Sequence, residues 1–276
     1  MSATVDATQE LAAFLRARRE RLAPGDVGLP DRGRARRTPG LRREEVAELA
    51  SVSVDYVVRL EQGRGLRPSA DVLAALANAL RLSEDERDYL FDLAGQRPAN
   101  RSTKTELAEP LARLVHDLSP LPAMVINHRN DILGWNAEMV GLMLDYGAVP
   151  DEQRNGVWLC LLHQWMRTFY LDREQVIREG IADLRAAWAA HPDDTVLADM
   201  VATLLAESEE FARLWALRDV ALNGRGYKRL LHPDVGPLTI QFEVLASLQD
   251  PDCRVVIYRA ADPESQVALD RLTGAR

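Results

Sequence analysis

Apolar positions recur at helical spacing through the first hundred residues, and beyond them the chain switches between helical and alternating spacing. Leu11, Phe14, Leu15 and Leu22 predict a first helix over 9–22, with Arg16, Arg18, Arg19 and Arg21 largely exposed. Pro24, Gly25, Gly28, Pro30 and Gly33 then interrupt regular structure. Residues 41–63, LRREEVAELASVSVDYVVRLEQG, hold two short amphipathic segments separated by a three-residue break. The first, 43–50, puts Val46 and Leu49 on one face, with Ala47 small enough for a second helix to cross closely. The second, 54–62, begins behind Ser53, a natural N-cap, and buries Val57 and Leu60. Helices at 69–80 (Leu73, Leu76, Ala77, Leu80) and from Ser83 to a stop at Gly95 complete the series. Ser83 and Glu86 have capping-box spacing.

The second half mixes periods. Residues 122–136, PAMVINHRNDILGWN, read as a strand, a polar turn at 127–131, a second strand, and Asn136 as cap of the helix AEMVGLML. In residues 238–245, LTIQFEVL, Leu238, Ile240, Phe242 and Val244 share one face. Residues 227–232 and 254–259 predict two more strands, with turns at Gly236-Pro237 and Asp250-Pro251-Asp252. Between the strands lie two helices. One carries Ile177, Ile181, Leu184 and Trp188, and the other, continuous over 196–215, carries Met200, Leu204, Phe211 and Leu214. Strands at both ends with helices between suit an antiparallel sheet covered by helices.

A 276-residue chain can bury more than one core, and the polar stretch 96–105, with Pro98 and Asn100, is the expected linker. That gives domains at 1–95 and 106–276. No apolar run reaches a membrane span and no signal peptide opens the chain, so the expected location is cytoplasmic, without a membrane partner. Cys160 and Cys253 are expected as free buried thiols. Net charge is -8, but it is unevenly spread: residues 1–100 carry 16 basic and 16 acidic side chains, and residues 101–276 carry 18 and 26. Between Arg16 and Arg67 the count is 13 basic against 8 acidic. Phosphate binding depends on such a local field, which salt screens over about 8 Å.

Winding the 54–62 segment at 100° per residue turns Asp55, Val58 and Arg59 away from its apolar edge, flanked by Val54 and Tyr56. With the cap Ser53 these are the candidate groove-facing residues. Arg59 suits guanine O6/N7 and Asp55 suits cytosine N4. Upstream, Arg36, Arg37, Arg42 and Arg43 lead into the N-terminus of the first segment and are the candidate phosphate contacts. The plainer account is a helical hairpin beside a solvated arginine run, and the arginines' position weighs against it.

These residues resemble a known family. The 41–63 stretch, Pro68-Ser69 and the following helix are similar to the Xre/Cro-type helix-turn-helix, a lambda-repressor-like domain. The phrase RRTPGLRREEVAELASVSVDYVVRLEQGRG resembles the MmyB-like transcription regulators more specifically. Ser51 stands in the tight turn where many such proteins have glycine. The resemblance extends more loosely to FARLWALRDV and KRLLHPDVGPLTIQFEVL, and it implies a C-terminal PAS-like ligand-binding domain associated in the family with a long-chain fatty acid. The implied fold class is α+β: an all-α helix-turn-helix domain followed by a PAS-like domain with an antiparallel sheet covered by helices.

Catalytic signals are weak. The sequence has no clustered Cys/His metal spacing, phosphate loop or nucleophile elbow, so no catalytic residue, metal or cofactor is assigned. His128 and His191 are expected in solvated turns. The segment VWLCLLHQWMRTF (157–169) is rich in large apolar groups, mostly core by the plainer account and a pocket wall by the sharper one. The candidate ligand-binding residues are Trp158, Leu162, His163, Met166, Arg167, Phe169, Arg229, His232, Ile240, Phe242 and Val244, with Arg167, Arg229 or His232 as carboxylate partner. Together these readings describe a cytoplasmic, sequence-specific regulator of transcription, not an enzyme. Its partners would be double-stranded DNA, a small apolar ligand such as a fatty acid and a second copy of itself. The rivals are a PAS-like domain that serves only dimerisation or partner binding, and an enzyme acting through His163 or His232.

Overall fold

The structure is a computed structural model that describes residues 6–30, 40–64, 67–96 and 107–274. Their contacts gather into two compact units, one formed within 1–101 and 188–221 and the other within 102–187 and 222–276. The expected linker lies outside the described residues apart from Gln96, whose side-chain amide donates to the Pro68 carbonyl.

The first unit opens with five helices: α1 (Ala7–Arg21), α2 (Arg43–Leu49), α3 (Val54–Glu61), α4 (Ala70–Ala79) and α5 (Glu84–Leu93). Asp6, Ser53, Ser69 and Ser83 cap four of them through side-chain oxygens, and Glu86 closes a capping box on α5. The apolar faces of all five meet in one core, where Phe14 meets the Tyr89 ring edge-on at 5.0 Å. Arg18 and Arg19 correct the expectation of an exposed arginine face on α1: both are buried. Arg19 Nε donates to Glu61 at 2.6 Å and its Nη1 to the Leu41 carbonyl, while Arg18 Nε lies 3.1 Å from Glu86. Burial by itself lowers the Arg19 guanidinium, but Glu61 and Glu20 more than offset this and raise it. Glu61 also accepts from Arg43 Nε at 2.7 Å, so one buried carboxylate joins α1, α2 and α3.

The second unit is built on an antiparallel sheet of β1 (Ala123–Asn127), β2 (Ile132–Trp135), β3 (Arg225–His232), β4 (Gly236–Ala246) and β5 (Cys253–Ala260), in the order β2-β1-β5-β4-β3. Strand alternation gives the sheet two faces. Ala123, Val125, Cys253, Val255 and Ile257 pack against Val115 of helix α6 (Glu109–Asp117). Met124, Ile126, Phe242, Val244, Val256 and Tyr258 line the opposite face. Helices α7 (Ala137–Leu142), α8 (Gly156–Leu162) and α9 (Met166–Phe169) follow the first hairpin; α10 is Arg173–Ala190. Asn136 holds the hairpin to α7: its Oδ1 accepts from Ala123 N and Met139 N, and its Nδ2 donates to the Leu121 carbonyl.

The expected 196–215 helix is two helices, α11 (Thr195–Glu207) and α12 (Glu209–Ala216). Ser208 ends the first and caps the second, its Oγ accepting from Phe211 N at 3.1 Å. The capping bond, with Glu209 and Glu210 in the new first turn, outweighs continuing one helix. The last helix is α13 (Pro263–Thr273). His128 and His191 are each buried, which corrects the expectation of solvated turns.

Candidate DNA-reading surface and ligand cavity

On α3 the helical period separates core from solvent as expected. Val57 and Leu60 are buried, Val54, Asp55 and Arg59 are exposed, and Tyr56 and Val58 lie between. Ser53 Oγ accepts from Tyr56 N at 3.1 Å and fixes where the helix starts. Burial raises the Tyr56 phenol although Arg59 opposes this, so it remains a hydrogen-bond donor.

The segment before α3 behaves differently from the sequence expectation. The N-terminus of α2 already has an anion, because Glu45 Oε2 accepts from Arg42 N at 2.7 Å. Arg42 is exposed beside Glu44 at 3.3 Å, and Arg43 is exposed too, with its Nε 2.7 Å from Glu61. Arg36 and Arg37 lie outside the described residues. The turn from α2 to α3 is closed by two bonds, Ser51 N to Glu48 O at 3.2 Å and Val52 N to Ala47 O at 3.0 Å. That is a Schellman ending, with Ser51 at φ 53° in the left-handed position.

The second unit contains a cavity of about 150 Å³ between the sheet face of Met124, Phe242 and Tyr258 and the helices α8 and α10. Of the residues singled out in the sequence, Met166, Phe242 and Val244 border it. The other candidates do not. Ile240 and Phe169 are buried in the core, Trp158 and Leu162 are half-buried off the cavity, and Arg167 is exposed. His163 and His232 border a separate open groove with Trp165, Asp234 and Arg271. His232 Nδ1 accepts from Asp234 N at 3.2 Å, and burial lowers its imidazole despite Asp234 and a bond to the Gly141 backbone. Neither histidine has a serine, threonine or cysteine hydrogen-bond partner among the described residues, so neither forms a base and nucleophile pair.

Arg229 is corrected by one position of strand register. It points away from the cavity and holds Asp172, with Nε 2.6 Å from Oδ2. Its neighbour Lys228 takes the cavity face, opposite Ile240 on β4. The Lys228 Nζ lies 4.9 Å from the centre of the Phe242 ring and 5.6 Å from that of Tyr170. Burial lowers its ammonium, opposed by Cys160 and by Glu179.

The sequence reading missed most of the other polar groups here. Tyr146, Tyr170 and Tyr258 border the cavity with their phenols raised by burial, and among the described residues the hydroxyls of Tyr146 and Tyr170 have only the Met143 sulfur as acceptor. Burial also pushes the Cys160 thiol up to about 11, against Lys228 and Arg173, so it is protonated at neutral pH and no nucleophile. Arg254 is taken by Asp183, at 2.7 and 2.8 Å.

A helix-turn-helix with an exposed second helix, followed by a sheet domain with a mostly apolar cavity, defines a DNA-binding transcription regulator with a ligand-binding domain. The comparisons with known families agree. A model described as an MmyB-like transcription regulator ligand binding domain matches residues 107–272, and one described as a helix-turn-helix domain matches residues 10–90. The chain belongs to the MmyB-like transcription regulators. Among curated proteins none matches it. No helix among the described residues is long and apolar enough to cross a membrane.

Proposed function

We propose that the protein is a cytoplasmic, non-catalytic regulator whose DNA affinity responds to a small apolar acid of the fatty-acid class bound in the 150 Å³ cavity. The observation that carries this reading is the presence, in one chain, of the exposed α3 face and of a mostly apolar space that side chains leave unfilled. Arg59 reads a guanine edge, Asp55 accepts from cytosine, and Arg42 contributes a phosphate contact, with Arg36, Arg37 and Arg43 in the same role. Two copies bind an inverted repeat with half-sites one or more helical turns apart.

The test starts from a site selected out of random duplex. Arg59→Ala is expected to lose roughly ten- to a hundredfold discrimination at one base position, equivalent to about 1–3 kcal/mol, while its affinity for random duplex stays close to that of the parent. Equal discrimination by mutant and parent at every position would remove α3 as the reading helix. An added medium-chain acid is expected to shift affinity for the selected duplex. A protein whose DNA binding ignores every acid tried is not a sensor, even if it still reads DNA.

A further inference from the structure

The cavity wall contains four charged side chains, and three of them are accounted for. Asp183 and Arg254 satisfy each other in a two-point pair. Glu179 accepts from Gln175 at 2.9 Å in an exposed hydrogen bond, which places that carboxylate at the solvent end of the wall. Lys228 is the fourth. Among the described residues no carboxylate lies within salt-bridge distance of its ammonium, and it makes no hydrogen bond; its neighbours are the Phe242 and Tyr170 rings.

Lys228 is half-buried, and an ammonium that ring faces shield from bulk water is costly, because the rings replace only part of the lost hydration. The direction of the Lys228 shift agrees: burial lowers it and Glu179 only partly offsets this. A carboxylate brought in by a ligand would supply the missing counter-charge with a charge-assisted hydrogen bond. Two further features favour an acceptor-rich head group. Tyr146 and Tyr170 give their hydroxyl protons to a thioether, a weak acceptor, and the Tyr258 hydroxyl has no hydrogen-bond partner among the described residues. The remaining wall is apolar, with Met124, Ile126, Ile132, Val176, Ile177 and Val256.

We propose that Lys228 is the carboxylate anchor of this cavity, and that the ligand is a small apolar monocarboxylate whose tail is limited by the space between sheet and helices. The assignment rests on the reading of this domain as a ligand sensor. A volume of about 150 Å³ holds a benzene-sized molecule, so the part of the tail held between sheet and helices spans roughly six to ten heavy atoms. Asp172 pairs with Arg229, the neighbouring cation on the other face of β3, leaving the cavity to Lys228.

The experiment compares octanoate with octan-1-ol, and octanoate with hexadecanoate, by calorimetric titration of the full-length chain near neutral pH. The parent is expected to bind octanoate at least roughly tenfold more tightly than octan-1-ol, the size of a charge-assisted bond inside a protein. In Lys228→Met, which keeps length and apolar packing, the preference is expected to fall to within about threefold while octan-1-ol still binds. Hexadecanoate is expected to bind no tighter than octanoate. Equal binding of acid and alcohol by the parent overturns the anchor and leaves the sensor reading standing. So does an acid preference that survives in Lys228→Met. Tighter binding of hexadecanoate overturns the size limit alone. If neither octanoate nor octan-1-ol binds, the sensor reading falls and the anchor with it. If Lys228→Met does not fold, Lys228→Gln in the same comparison takes its place, with the same outcomes.

Discussion

Ser51 shows how much one backbone angle can matter in a motif that is otherwise plain from the sequence. Four successive helices of the first unit end in the same way, with a left-handed residue after the C-cap and the following N–H reaching back five residues. Gly63 and Gly95 fill that position after α3 and α5, where a left-handed φ carries no Cβ penalty. Ser51 and Arg81 fill it after α2 and α4 at φ 53° and 48°. The serine that departs from the family's glycine therefore does not abolish the turn; it strains it. Ser51→Gly is expected to stabilise the chain by about 0.5–1 kcal/mol, the relief of strain being partly offset by the freer unfolded chain. Urea unfolding reads this as a higher midpoint with unchanged slope, and an unmoved or lowered midpoint would show that the turn stores no strain. The same scale explains why the anchor was not legible. Arg229 and Lys228 are adjacent cations on a strand, and only pairing with β4 decides which of them faces the cavity.

At the scale of elements, periodicity locates most of the fold but misses what holds elements together. The five helices α1 to α5 and all five strands fall where their apolar spacing puts them. α6 and α13 are absent from the expectations, although Leu111, Val115 and Leu118 have helical spacing and Pro110 and Pro263 sit where a helix start tolerates proline. The tie between α10 and β5 has no local signal, because Asp183 and Arg254 are 71 residues apart. This pair borders the cavity and is mostly buried. Removing only the acid leaves a guanidinium without its partner. Asp183→Ala is therefore expected to cost about 3–5 kcal/mol in chemical unfolding, whereas Asp183→Leu combined with Arg254→Met recovers much of it. A double substitution as damaging as the single one would mean that the pair contributes shape or hydrogen bonding that apolar packing cannot replace.

For the whole molecule, sequence and contacts divide the chain differently. The ligand-binding match runs through residues 107–272, yet α11 and α12, inside that match, belong by their contacts to the unit that contains the helix-turn-helix. No hydrophobic pattern announces this, because an apolar helix face does not say which core it joins. The contact is polar at its centre. Arg18 of α1 donates to the Arg218 carbonyl just beyond α12, and Arg218 Nε lies 3.6 Å from buried Glu10, which also accepts from the Tyr89 hydroxyl at 3.2 Å. Arg218 reaches this position with φ 55°, so its backbone is held where a non-glycine residue is strained. α10 supplies Val176, Ile177, Gly180 and Asp183 to the cavity wall and passes into the other unit at Trp188. In the chain, the helix that borders the cavity is followed directly by the segment that ends on α1. If ligand and DNA are coupled through this segment, loosening its end should weaken the coupling without removing either site. Arg218→Ala is expected to bind octanoate and the selected duplex each within about threefold of the parent, because neither surface includes Arg218. The factor by which octanoate changes DNA affinity, expected at about 5-fold or more in the parent, should fall towards one. Titrating labelled duplex with and without octanoate measures all of these quantities on one protein. An undiminished factor in Arg218→Ala would place the coupling elsewhere, while a loss of DNA binding in the absence of ligand would show that Arg218 supports the fold of the reading unit and not its regulation.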